Sequence, residues 1–142
     1  CRQSQCQSVY IIGKTLKAMK TICAMREIIK AITRFEASFE EVHQLSLNEA
    51  IVLCALQNAG EKVAATVLSR QTELSPSHAS KVLRSLEEKQ LIVRSVGDLD
   101  KRQMYFHLTP AGEQRIKALD AEKTEIPQLL QPLFERLTNQ NP

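Results

Sequence analysis

The residues best suited to chemistry lie in one stretch, Ser77-His78-Ala79-Ser80-Lys81-Val82-Leu83-Arg84, and in one dipeptide further on, Lys101-Arg102. Placed on a helix, Ala79, Val82, Leu83 and Leu86 share an apolar face. The opposite side presents Ser77, Lys81, Arg84 and Glu88, flanked by His78 and Ser80. Small hydroxyls, an imidazole and two cations, with no bulky apolar group, suit a helix lying in the major groove of a duplex. The Arg84 guanidinium or the Lys81 ammonium can donate to guanine O6 and N7, while Ser77, His78 and Ser80 can reach base edges or phosphates. A merely solvated helix also shows a polar outer face, so the second feature matters. Lys101-Arg102 falls at the tip of a hairpin pattern, where an arginine has little structural role and is well placed to enter an adjacent minor groove.

Other chemistries find no comparable support. His43, His78 and His107 share no ligand spacing with one another or with the cysteines, so no metal is expected. Asp98-x-Asp100 lacks the glycine and distal glutamate of a calcium loop and reads as a wing salt bridge. Glu40-Glu41-x-His43, at the end of a long helix, reads as a solvated turn. There is no G-x-S-x-G, glycine-rich phosphate loop or H-E-x-x-H, so the chain does not read as an enzyme. Cys1, Cys6, Cys23 and Cys54 are scattered, with no C-x-x-C and no sign of an oxidising compartment. Cys23 and Cys54 fall on apolar stripes and read as small buried hydrophobes.

The elements that must position the reading helix are visible in the pattern. From Val9 to Val42 apolar residues recur at helical spacing with no proline, giving a helix about 50 Å long. A compact chain of this size has a radius of gyration of about 14–15 Å, so part of that helix needs another chain to cover its stripe. Ser46-Leu47-Asn48-Glu49 is a capping box for a helix ending near Gly60. A second short helix fits Val63 to Thr72, and Ser75-Pro76 opens the reading helix with a cap and a proline at its first position. The period then changes to two, giving strands at Leu91–Val96 and Gln103–Leu108 around a polar tip. Thr109-Pro110 starts another helix. The tail carries Ile126, Leu129, Leu130, Leu133, Phe134 and Leu137 as a broad apolar stripe, which Pro132 should kink. Short helices followed by a two-stranded hairpin are the plan of a winged helix-turn-helix.

Composition is that of a globular protein: of 142 residues, 43% are hydrophobic and 25% charged, with no tryptophan. The longest apolar run, Ala50–Leu56, is seven residues, too short to span a membrane. With no secretory signal visible, the chain is expected in the cytoplasm. Net charge is only +3, but the excess lies in residues 1–45 and 61–109. Those blocks are where an anionic partner would bind.

From about Leu45 to Leu119 the chain resembles the MarR-type transcriptional regulators. The carriers are Leu47-Asn48-Glu49-Ala50-Ile51-Val52-Leu53, Leu74-Ser75-Pro76-Ser77-His78-Ala79-Ser80-Lys81-Val82-Leu83 and Leu86-Glu87-Glu88-Lys89-Gln90-Leu91-Ile92-Val93-Arg94. Most specific are Asp100-Lys101-Arg102 and, six residues on, Leu108-Thr109-Pro110-Ala111-Gly112. The resemblance implies a mainly α fold with a small β-hairpin wing: a dimerisation helix over 1–45, a winged helix-turn-helix over 46–112 and C-terminal dimerisation helices over 113–142. It implies a homodimer on a pseudo-palindromic stretch of double-stranded DNA, acting as a repressor and released by a small aromatic or anionic effector. Carried over by position, Ser75, Ser77, His78, Ser80, Lys81 and Arg84 would read the major groove. Arg102 would enter the minor groove, oriented by Asp100, with Lys101 on the backbone. Glu73 and Gln90 stand where the family usually has glycine, and Glu73 would set a negative charge near DNA.

Three rivals remain at this level. Peroxide-sensing members of the family keep a reactive cysteine near the first helix, and Cys6-x-x-x-Tyr10 is faintly similar, giving a thiol-based regulator of the same fold. A protein-binding adaptor that has lost DNA affinity would share the fold. A basic first helix acting on a membrane is arithmetically allowed, but a solvated dimerisation helix accounts for the same charges, and no membrane role is assigned.

Overall fold

The computed structural model describes residues 13–99, 102–121 and 124–140. The chain divides into two compact units, Cys1–Ser38 with Thr124–Pro142, and Phe39–Lys123. Helix α1, Gly13–His43, contributes to both. The start expected at Val9 lies outside the described residues.

In the unit Phe39–Lys123, α1 stops because Gln44 adopts a left-handed conformation (φ 57°) and closes back on Glu40 O at 2.9 Å. Two residues later the capping box forms as its residue types require: Ser46 Oγ accepts from the Glu49 N–H, and Glu49 Oε1 accepts from the Ser46 N–H, each at 3.1 Å. Helix α2, Leu47–Ala59, ends at Gly60, whose left-handed φ of 69° lets its N–H reach Leu56 O.

Val63 and Ala64 form a short strand, β1, rather than the start of a helix. They pair antiparallel with Phe106 and Tyr105. Two residues are too few for a period-two signal, and both are buried, so alternation in sequence could not show them. Helix α3, Ala65–Thr72, and helix α4, Pro76–Glu88, follow. Strands β2, Ile92–Val96, and β3, Met104–Leu108, complete a three-stranded sheet in the order β1-β3-β2. Ile92 opposes Leu108 and Val96 opposes Met104, and the Gly97 N–H donates to Gln103 O at 3.0 Å just beyond that pair.

Helix α5, Pro110–Ala121, begins at Thr109, which accepts from the Gly112 N–H at 3.1 Å and donates its own hydroxyl proton to Gln90 O at 2.8 Å. Gly112 is required by space. A Cβ there would collide with the Leu91 carbonyl oxygen, to which the Thr109 N–H already donates. The core of this unit joins Leu45, Leu53 and Leu56 with Leu68 of α3, Leu83 and Leu86 of α4, and Ile92 and Phe106 of the sheet.

In the other unit, the expected kinked helix of the tail is shorter, and Pro132 falls at its start. Helix α6 runs Gln131–Asn139, with residues 126–130 outside it. Pro132 sits in the first helical turn, where its missing N–H has no intrahelical partner to lose, so it begins the helix instead of bending it.

Neither cysteine expected as a buried hydrophobe is one. Cys54 is exposed on α2, because the apolar run Ala50–Leu56 goes round the whole helix and only part of it faces the core. Cys23 is half-buried and disulfide-bonded.

Candidate nucleic-acid interface

Helix α4 is placed by both of its ends and by one face. At its start Ser75 Oγ accepts from the His78 N–H at 3.2 Å, and Pro76 occupies the first turn. The turn into it is fixed by Ser69, whose hydroxyl donates to Leu74 O at 2.7 Å. Glu73 holds φ at 58° there, which explains why glycine suits this position and why a side chain is strained in it. Ala79, Val82, Leu83 and Leu86 are buried, as their spacing requires, and Ser75, Ser77, His78, Ser80, Lys81 and Arg84 are all exposed.

The charge partners separate two kinds of cation. Lys89, Arg94 and Lys62 are tied into the fold. Lys89 Nζ donates to both carboxylate oxygens of buried Glu49, at 2.8 and 3.0 Å, and to Gln44 O at 3.3 Å. Ser85 Oγ adds a further bond to Glu49 at 3.3 Å. Burial raises the Glu49 pKa, but the Lys89 hydrogen bond, the Ser46 backbone N–H and the Lys89 charge together outweigh it and hold the carboxyl below its ordinary range. This network joins the start of α2 to the end of α4. Arg94 donates to Glu87 at 2.6 Å and lies over the Phe106 ring. Lys62 reaches Asp98 at 3.4 Å and covers the Tyr105 ring. Lys81 and Arg84, by contrast, have no ion-pair partner among the described residues. They are the cations left available on the outer face of α4.

On the wing, Arg102 is exposed next to the described end of the tip. Asp100 and Lys101, the other wing residues expected from sequence, lie outside the described residues, as do Cys6 and Tyr10. Asp98 does form a wing salt bridge, with Lys62 on the far side of the sheet. Sequence reading did not find that partner because Lys62 precedes a strand too short to recognise. Gln90, the second residue standing where glycine is usual, has φ 61° and passes its carbonyl to Thr109. Among the described residues no group of histidine, cysteine and carboxylate side chains could hold a metal, and no helix is long and apolar enough to cross a membrane.

Comparison with known proteins agrees with this geometry. Residues 43–103 match the model of the MarR family. The chain is 34% identical over 101 residues to YpoP of Bacillus subtilis (strain 168), described as an uncharacterized HTH-type transcriptional regulator, covering 71% of this chain and 70% of that one. Among solved structures it is similar to the DNA complex of MepR from S. aureus, with a TM-score of 0.62, 20% identity, and 84% and 82% of the two chains covered. It is also similar to Bordetella bronchiseptica BpsR, whose DNA binding is regulated by 6-hydroxynicotinic acid, with a TM-score of 0.57, 21% identity and 82% of each chain covered. A capped helix with an exposed polar face, a β wing, the family match and the curated relative together place the chain in the MarR family of transcriptional regulators, to which it belongs.

Proposed function

We propose that two copies of this chain pair through the helical unit and bind a pseudo-palindromic operator as a repressor. The observation that carries this reading is the outer face of α4, where Lys81 and Arg84 stand exposed and uncommitted among Ser77, His78 and Ser80. In this arrangement Arg84 or Lys81 donates to guanine in the major groove, and Ser75, Ser77, His78 and Ser80 reach base edges or phosphates. Arg102 enters the neighbouring minor groove, with Asp100 orienting it and Lys101 on the phosphates. Pairing is supported by the half-exposed apolar side chains of α1 and α6, including Ile22, Ile29, Leu133 and Leu137. In such a dimer the two reading helices address successive major grooves about 34–36 Å apart. The relative whose DNA binding responds to 6-hydroxynicotinic acid supports release by a small aromatic or anionic effector. That effector acts by binding one arrangement of the paired lobes better than the other.

Selection of bound duplexes from a random pool at physiological salt tests the reading. An inverted repeat with half-sites one helical turn apart is the expected result. Arg84→Ala should then lose about 1–3 kcal/mol and relax the preference at one base pair. Salt-sensitive bulk binding with no enriched sequence would overturn it.

A further inference from the structure

We propose that Lys89 and Arg115 are positioning residues for operator binding. By holding two backbone carbonyls at the end of α1, they fix the reading helix to that end and set which half-site spacing the paired protein accepts. The inference deepens the operator reading above and rests on it.

The last carbonyls of a helix have no intrahelical donor, and the partial negative charge gathered there favours cations. At the end of α1 two cations from remote elements meet that need. Arg115 of α5 donates from Nη1 to His43 O at 2.8 Å, and Lys89, which caps α4, donates from Nζ to Gln44 O at 3.3 Å. The two donors lie 72 and 45 residues along the chain from the carbonyls they hold. Ending α1 does not require either of them. Gln44 already closes the helix locally, its N–H on Glu40 O at 2.9 Å and its side-chain amide on Glu41 O at 2.8 Å. The cations therefore do something a local cap cannot, which is to attach α4 and α5 to the last turn of α1.

The attachment at Lys89 is complete. An ammonium has three protons to donate, and Gln44 O and the two oxygens of buried Glu49 receive them. Glu49 Oε1 also accepts from the Ser46 N–H, and Glu49 Oε2 from the Ser85 hydroxyl one turn earlier on α4. The turn after α1, the first turn of α2 and the end of α4 thus converge on one charge. The other end of α4 carries its own local cap, so the outer face from Ser77 to Arg84 lies between two fixed points.

The consequence for DNA is a matter of leverage. Helix α4 has 13 residues and is about 20 Å long. A change of about 10° at its held end moves the other end by about 3.4 Å, which is about the rise of one base pair. Helix α1 runs unbroken from Gly13 to His43 and carries Ile22 and Ile29 of the proposed pairing surface. A joint that is stiff at the end of α1 therefore makes a dimer that distinguishes operators one base pair apart in spacing, and a loose joint makes one that does not.

Binding is measured on the selected inverted repeat and on copies with one base pair added to or removed from the spacer. Wild type should prefer the selected spacing by about tenfold. Lys89→Met and Arg115→Met should each reduce that ratio to about twofold while keeping the wild-type base preference within each half-site, and Lys89→Arg should restore most of it. A merely structural role would lower binding to all three operators by one common factor, so an unchanged ratio in both Met variants would overturn the proposal. Loss of base preference along with the ratio would also overturn it, because the reading helix itself would then be disordered. Arg115→Met breaks a tie that does not involve Glu49, and it decides the matter if Lys89→Met fails to fold. If the wild type enriches no inverted repeat, the operator reading fails and this one falls with it. An enriched repeat whose spacing preference survives both substitutions removes only the roles of Lys89 and Arg115.

Discussion

In the unit Phe39–Lys123, Leu45, Leu53, Leu68 and Leu86 are essentially out of water, drawn from three helices and the turn before α2 into one core. In the unit formed by residues up to Ser38 with those from Thr124, Ala31 is the sole buried hydrophobic residue among those described. There Ile22, Met25, Ile29, Ile32, Leu129, Leu133, Phe134 and Leu137 all remain 41% exposed or more. Burying a side chain of this kind is worth about 1.5–3 kcal/mol. The winged unit already draws on that stabilisation within one chain, whereas the helical unit leaves most of its apolar surface uncovered, which is what the proposed pairing would use.

The largest expected effect comes from attacking that uncovered surface. Leu133→Lys with Phe134→Lys should weaken self-association by at least about a hundredfold, measured by analytical ultracentrifugation. The thermal transition of the winged unit should hardly move. If both transitions collapsed together, the two regions would not be energetically separate. Gly112→Ala makes the reverse cut, since the new Cβ meets backbone that cannot yield. It should destabilise the winged unit by about 2–3 kcal/mol in denaturant melts.

The Glu49–Lys89 pair sharpens the comparison further, because it lies wholly in the winged unit. Lys89→Met leaves a buried carboxylate without its cation. Lys89 is itself partly exposed, which limits the loss to about 1–2 kcal/mol at neutral pH. The folded-state pKa of Glu49 is depressed, so its contribution is present above the unfolded value and is lost as pH falls through the folded one. Acid should therefore erode wild-type stability below about pH 4.5, and Lys89→Met should blunt that slope. The smallest effect concerns strain. Gln90→Gly relieves a side chain at φ 61° and should stabilise the winged unit by about 0.5 kcal/mol, after the entropy of a freer unfolded chain is subtracted.

Much of this was legible in residue types. Ser46 with Glu49, Ser75 with Pro76, and Gly60 announce helix ends through local chemistry that needs no distant partner, and each end formed where expected. The buried face of α4 followed from spacing alone. Pro132 misled because proline marks either a kink or a beginning, and which it is depends on whether the preceding residues join the helix. Cys54 misled because an apolar run says nothing about which side of its helix meets the core.

Sequence by itself therefore determined the caps at Ser46, Gly60 and Ser75, the wing hairpin and the set of polar side chains on the outer face of α4. Each of these is encoded within a few residues, by period or by a cap. Tertiary structure decided what depends on residues far apart in the chain. It supplied β1 against β3, Lys62 beside Asp98, Lys89 beneath Glu49, and the contact with Leu91 that makes Gly112 obligatory. It also decided which cations are committed to the fold and which remain on the surface. Charge in a sequence is only a count, and availability depends on which partner packing has brought within reach.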